Sequence, residues 1–384
     1  MRPCLLLNDF NGGGAERLVK DLATALAEYD DVDPVVVAAN SAGELESAFE
    51  SSSFELSILD VDVAMSAISE ATKKLVTRLR ALDVDLVHSH LAFSDLISRL
   101  ACARLSLPHV STYHNVQEKR SLLKRVVEHA TRPLSEQIVC VSEGVRESYG
   151  NDPRMRVIYN AIDVEAFNWQ VAEGDLTDVP KNVRSTETVF LNVGRCVEVK
   201  RQWDLLSAME QIDSKDVHLV IVGDGPLRSE LDELVSRKNL SDKVTVTGFV
   251  ERIKPYYAAA DAFVSSSSKE GLPTTHIEAM AAELPVVSTD IPGVREIVEH
   301  ETTGYLCPVG EPTALAATIE RVHETDSREL GIRGYETASS TFSIQRIAAE
   351  HVALYREVAE SLDGCSNTPS GPTSEGAKRQ ISGE

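Results

Sequence analysis

Two carboxylates, Glu270 and Glu278, stand with seven residues between them in the run Ser268-Lys269-Glu270-Gly271-Leu272-Pro273-Thr274-Thr275-His276-Ile277-Glu278. The apolar run before them, 261–265, is predicted as a buried strand. Residues 274–282 are predicted as a helix that opens on a threonine just after Pro273. One carboxylate therefore precedes the helix and the other falls within its first two turns. A helix start offers unpaired backbone N–H groups and the positive end of a dipole to an anion. A ligand that rests phosphates there while both carboxylates accept hydrogen bonds from hydroxyls carries phosphates and a sugar. That describes a nucleotide sugar.

Other residues of useful type sit where predicted strands end. Gly13 and Gly14 follow the first strand, where glycine either forms a tight turn or lets backbone approach a ligand closely. Arg195 and Lys200 flank the turn after the strand at 189–193, and two cations there can clamp a diphosphate. His114 ends the strand at 109–112, placed either to touch substrate or to pack. His88 and His90 lie at another strand end and are candidates for the acceptor side. No carboxylate or cysteine joins them at ligand spacing, and Asp60-Val-Asp62 and Asp83-Val-Asp85 read as turn residues. No catalytic metal and no cofactor is therefore expected, only a nucleotide-sugar co-substrate.

Two repeats of one architecture are needed to position these groups. Strands at 4–7, 34–38, 55–59, 85–88, 109–112, 137–141 and 156–159 alternate with helices such as 16–28, 65–82 and 95–105. Such alternation predicts a parallel sheet with helices on both faces. The periodicity lapses over 169–186 and resumes through 189–193, 201–209, 217–222, 227–238, 244–247 and 285–288. The expected organisation is α/β: a first Rossmann-like domain over 1–168, a linker over 169–186, and a second domain over 187–342. A helix over 343–362 and a disordered Ser/Gly/Thr/Pro-rich tail over 363–384 complete it. Two doubly wound domains bind ligands where the carboxyl ends of their strands face each other.

Composition narrows the partners. Against 60 acidic residues stand 38 basic ones, 25 Arg and 13 Lys, for a net charge of −22. That balance argues against nucleic acid. It suits a halophile's protein, because concentrated salt screens the self-repulsion. Six scattered cysteines without a C-x-x-C pair imply neither a disulfide framework nor a zinc site, and fit a reducing cytosol. Leu5-Leu6-Leu7 is too short for a secretory apolar region and no stretch is long enough to span a bilayer, so a cytoplasmic protein is expected.

Taken in order, six segments resemble the retaining glycosyltransferases of the GT-B fold, specifically glycosyltransferase family 4, over roughly residues 1–361. They are Asn11-Gly12-Gly13-Gly14-Ala15-Glu16-Arg17, Val110-Ser111-Thr112-Tyr113-His114-Asn115, Val157-Ile158-Tyr159-Asn160, Leu191-Asn192-Val193-Gly194-Arg195 with Lys200, Ile221-Val222-Gly223-Asp224-Gly225 with Gly248-Phe249-Val250, and the Glu270…Glu278 run. The resemblance implies two Rossmann-like domains across a cleft, with a C-terminal helix returning to the first. It implies Gly13 and Gly14 over the donor phosphates, His114 on the transferred sugar beside the anomeric centre, and Arg195 and Lys200 on the diphosphate. Gly194, Gly223, Phe249 and Val250 would lie against the nucleotide, a UDP or GDP moiety. Glu270 would bind sugar hydroxyls and Glu278 the ribose, with the backbone of Gly271, Leu272, Pro273, Thr274 and Thr275 on sugar or phosphate oxygens. Asn160 is structural or acceptor-side. The chain departs from the family in having Lys200-Arg201 for a Lys-Gly pair, Glu283 where glycine is frequent, and Pro292-Gly293 for Gly-Gly.

The implied reaction moves a hexose, with retention, to a glycan or polyprenyl-lipid-linked acceptor in the synthesis of cell-surface glycan, glycoprotein or exopolysaccharide. Residues 119–132 alternate basic and apolar side chains. They fit a surface helix docked on the core, or a basic amphipathic helix on the anionic cytoplasmic face of a membrane. Two other readings stand beside this one: a non-hydrolysing nucleotide-sugar epimerase, and a non-catalytic sugar-nucleotide-binding partner subunit. Intact Arg195, Lys200, Glu270 and Glu278 argue against a decayed site.

Overall fold

The computed structural model describes residues 1–11, 13–41, 43, 45–117 and 122–366, with backbone only for 122–125 and 362–366. Seven strands form the first sheet: β1 (Pro3–Leu7), β2 (Val35–Ala38), β3 (Glu55–Ile58), β4 (Leu86–His90), β5 (His109–Tyr113), β6 (Gln137–Cys140) and β7 (Met155–Val157). Six form the second: β8 (Thr188–Val193), β9 (Val217–Val222), β10 (Val244–Gly248), β11 (Ala262–Val264), β12 (Val286–Thr289) and β13 (Gly304–Cys307). Their orders are β3-β2-β1-β4-β5-β6-β7 and β10-β9-β8-β11-β12-β13, with all neighbours parallel. Runs such as Val-Val-Val-Ala in β2 are buried throughout, as strands covered by helices on both faces must be.

Each sheet reverses its strand order once, between β1 and β4 and between β8 and β11. Connections leave such a pair in opposite directions and open a crevice at the carboxyl ends. The Gly13-Gly14 turn follows β1, His90 ends β4, Gly194-Arg195 follows β8, and the Glu270 loop follows β11. The sequence thus delivers its polar motifs to both switch points.

Helix Gly14–Leu26 buries Leu18, Val19, Leu22, Ala23 and Leu26, the one-sided spacing of an amphipathic helix. Helix Ile344–Ser366 returns to the first domain, packing Ile347, Val352, Tyr355 and Val358 with Leu5, Leu7 and Leu22. A separate apolar cluster joins Tyr113, Cys140 and Ile162 to Phe263, Leu272 and Ile291, so one core crosses between the sheets.

Several elements differ from the sequence expectation. Strand β7 stops at Val157, and Asn160 leaves the sheet to become a loop residue. The stretch 169–186 carries the end of helix Val164–Ala172 and the short helix Lys181–Arg184, and buries Val171, Val179 and Val183. It lacks periodicity because its apolar residues plug gaps between larger elements. Strand β13, Gly-Tyr-Leu-Cys, opens on a glycine and has no counterpart among the predicted strands. The last helix runs to Ser366, past 362, and the expected disordered tail from 367 on lies outside the described residues. Residues 119–121 of the basic stretch also lie outside them; the remainder forms helix Leu122–Thr131, on which Val126 is 56% exposed. Asp60 and Asp83 take left-handed turn backbone. Cys4, Cys102, Cys140, Cys196 and Cys307 are free and buried. Among the described residues no helix is long and apolar enough to cross a membrane.

Candidate active site in the interdomain cleft

The loop between β11 and helix Thr274–Ala281 is held from both domains. On its own side, the Ser266 hydroxyl donates to the carbonyls of Lys200 and Arg201 (3.0 and 2.8 Å), and Ser268 N–H to Val199 O (2.8 Å). From the first domain, Ser142 Oγ donates to Gly271 O (2.9 Å) and Asn160 Nδ2 to Leu272 O (2.9 Å). Asn160 is therefore engaged with the donor-side loop. A Cβ on Gly271 would lie 2.0 Å from the His114 carbonyl oxygen, so only glycine permits this approach. Pro273 leads into the helix in extended backbone, and no side chain caps its first turn. The amides at Thr274 and Thr275 are thus left for an anion. Gly14 closes the opposite wall, where an added Cβ would stand 3.3 Å from Thr274 Oγ1.

Lys200 and Glu270 face each other across this loop, Nζ to Oε1 at 2.7 Å, with both side chains largely buried. Arg195 is exposed and has no ion-pair partner among the described residues. Gly194 and Gly223 abut at the ends of β8 and β9: a Cβ on Gly223, whose φ is +145°, would lie 2.1 Å from Gly194 O. Gly223 also pairs with Gly248, which places Phe249, 52% exposed, and half-buried Val250 on the adjoining rim.

Glu278 lies deeper and accepts a hydrogen bond from Tyr257 Oη (2.7 Å). Burial raises its pKa, with Tyr257 and Arg17 opposing the shift. It lines a cavity of about 480 Å³ together with Gly14, Arg17, Lys254 and Thr274. His114, Glu270, Arg195 and Lys200 lie outside that lining. Gly13 caps helix Gly14–Leu26 and sits against the Glu16 carboxylate, whose pKa burial pushes up to about 7. Arg17, Lys254 and Tyr257 had no spacing signal of their own; they converge on Glu278 from two helices, Gly14–Leu26 and Lys254–Ala258, that only folding brings together.

The histidines divide. His114 is half-buried, and burial lowers its pKa to about 4, so it is neutral near pH 7. His90 is buried and lies 3.1 Å from it, Nδ1 to Nε2. His88 corrects the sequence expectation of an acceptor-side residue. It is 0% exposed, with Nδ1 on Tyr355 Oη (2.6 Å) and Nε2 on Thr112 Oγ1 (2.6 Å), both nitrogens used inside the core. Among the described residues no group of three or more His, Cys, Asp or Glu has metal-binding geometry.

Known proteins share this fold and parts of this sequence. The crystal structure of Anabaena HepE with UDP and glucose superposes with a TM-score of 0.80 at 21% identity, covering 95% of this chain and 100% of that one. N-acetyl-alpha-D-glucosaminyl L-malate synthase of Bacillus anthracis is 27% identical over 53% of this chain, an alignment that spans about half (54%) of its own length. The Escherichia coli UDP-Gal:alpha-D-GlcNAc-diphosphoundecaprenol alpha-1,3-galactosyltransferase is 27% identical over 65% of this chain and 68% of that protein. The family model described as glycosyltransferase family 4 matches residues 12–166, and that of the glycosyl transferases group 1 matches 176–336. One model falls on each sheet, on either side of the cleft just described, and the chain belongs to the group 1, family 4 glycosyltransferases.

Proposed function

We propose that the protein transfers a hexose from a nucleoside-diphosphate sugar to a glycan or polyprenyl-linked acceptor, with retention of configuration and without a metal. The observation that carries this is the Glu270…Glu278 loop-helix, uncapped at its first turn and faced by Gly14 across the cleft. The similar HepE structures, in complex with UDP and glucose or with UDP-glucose, support the donor class. The diphosphoundecaprenol acceptor in the name of the Escherichia coli relative supports the acceptor class.

In this mechanism the Lys200–Glu270 pair keeps two largely desolvated charges compensated until donor arrives. Donor binding hands Lys200 to the diphosphate and Glu270 to the sugar hydroxyls. As the glycosidic C–O bond breaks, negative charge grows on the diphosphate, and Arg195, Lys200 and the helix N-terminus stabilise it. Neutral His114 bonds the sugar without adding charge beside a ring that is becoming cationic. The interdomain core excludes water, whose attack is the competing reaction. The work takes place on the cytoplasmic side, with helix Leu122–Thr131 touching anionic lipid peripherally; flotation with liposomes that is indifferent to anionic lipid would exclude this contact.

Calorimetry with UDP- and GDP-sugars is the test. One sugar nucleotide should bind at micromolar affinity, be unaffected by EDTA, and be lost in Glu278→Ala. Binding unchanged in that variant removes the ribose assignment; no binding by any sugar nucleotide removes the donor reading. Proton NMR of the product's anomeric centre decides retention.

A further inference from the structure

Four imidazoles line up from helix Ile344–Ser366 to the cleft. His351 stacks on His88 with centroids 5.4 Å apart, His88 lies 4.3 Å from His90, and His90 lies 5.3 Å from His114. Among the described residues the series contains one ring-to-ring hydrogen bond, His90 Nδ1 to His114 Nε2 at 3.1 Å. His90 is 1% exposed, and its second nitrogen, Nε2, has no partner. Burial holds both rings neutral by lowering their pKa values, His114's to about 4.

A neutral imidazole has one N–H and one bare nitrogen. Two arrangements are therefore open to the pair. Either His90 donates from Nδ1 and His114 carries its proton on Nδ1, or His114 donates from Nε2 and keeps a bare Nδ1. The arrangements are mutually exclusive, and each fixes whether His114 Nδ1 donates or accepts. That nitrogen has no protein partner among the described residues, so it is the one left for a ligand hydroxyl. A hydroxyl can do either, but a ring that exchanges tautomers is not pre-organised for one geometry.

We propose that His90 is a positioning residue, whose Nδ1 locks the ring of His114 and sets the tautomer it presents to the transferred sugar. The sugar contact rests on the function proposed above; the lock does not. Leucine at this position would keep the apolar packing on His88 and lose the bond. Asparagine carries an amide nitrogen and oxygen attached where Nδ1 is attached, and can restore it.

The experiment is nitrogen NMR of ¹⁵N-histidine-labelled full-length protein without ligand, at about pH 7.5. His114 should show one fixed tautomer in the wild type, averaged nitrogen shifts in His90→Leu, and a fixed tautomer again in His90→Asn. His109 of β5, held at both nitrogens by Ser89, Ser98 and Ser135, reports an intact fold. An averaged His114 in the wild type overturns the proposal even if the variants fail to fold. So does an unchanged His114 in His90→Leu with His109 undisturbed. With UDP-glucose or GDP-mannose, whichever turns over, His90→Leu should lower kcat roughly 10- to 100-fold at similar KM, with recovery in His90→Asn. A fixed tautomer that neither sugar nucleotide perturbs would count against the sugar contact and leave the lock standing.

Discussion

At the residue scale, the site is governed by pairs of groups that satisfy each other in the absence of ligand. Lys200 and Glu270 have side chains 21% and 14% exposed, so removing one strands the other's charge. Lys200→Met should cost roughly 1–3 kcal/mol of stability, measured by urea unfolding. The double variant Lys200→Met/Glu270→Gln should recover most of that loss and remain inactive. Recovery of activity in the double variant would show that neither group handles the donor. Both residues are legible in the sequence as site candidates, because strand-end position and residue type suffice for that. Their pairing is not legible, since 70 positions separate them along the chain.

At the element scale, two departures from the family pattern fall on left-handed backbone. Arg201 has φ 47° and Glu283 φ 59°, both places where the resemblance leads one to expect glycine. L-residues are strained there, by about 1–2 kcal/mol. Among the described residues the Glu283 side chain has one polar contact, 3.3 Å from Asn168, so Glu283→Gly should raise unfolding free energy by about 1 kcal/mol, net of glycine's greater chain entropy. Arg201 compensates by an ion pair to Asp204 (2.6 Å) and a cation–π contact with Trp203, so Arg201→Gly should be near neutral. Equal effects in the two denaturation curves would show that backbone strain alone decides. Strands such as β1 and β2 were legible as unbroken apolar runs; β13, which opens on Gly304, was not.

At the scale of the whole molecule, the two domains are clasped by polar bonds around the shared core. Glu296 accepts from the backbone N–H groups of Glu143 (2.7 Å) and Gly144 (2.9 Å), at the start of a helix in the other domain. Glu296→Ala should open the cleft, seen as a larger radius of gyration in small-angle scattering and weaker donor binding. An unchanged radius would place the clasp entirely in the apolar contacts. Acid should unfold the protein as well. His114, His276 and His351 have folded pKa values lowered by burial to about 4, 3 and 4, and His88, His90 and His109 are also depressed. Their contribution is full above pH 6.5 and is lost as pH falls toward 4, at up to ~1.4 kcal/mol per unit for each. Glu16, raised to about 7, and Glu278, Asp95 and Asp261, also raised by burial, act oppositely, but the six histidines outnumber these four carboxyls. Melting temperature should drop steeply below pH 6.5; a flat profile would mean these rings are hydrated. With a net charge of −22, molar KCl should raise the melting temperature, and a decrease would remove the halophile reading.

The sequence by itself determined which residues end strands, and therefore which motifs reach the two switch points. Strand-helix alternation dictates a parallel sheet, and a parallel sheet sends every carboxyl end to one edge. It also determined the family, because the motifs keep their order. Only the tertiary structure decided what each polar group meets there. His88 and His90 are two apart and share a face of β4, and nothing local says whether that face meets ligand or protein. Tyr355, 267 residues downstream, takes His88 into the core, while His90 reaches His114, just past the end of the neighbouring strand β5. A hydrogen bond forms between groups that folding makes adjacent, and adjacency across a sheet or a domain boundary is set by packing rather than by distance along the chain.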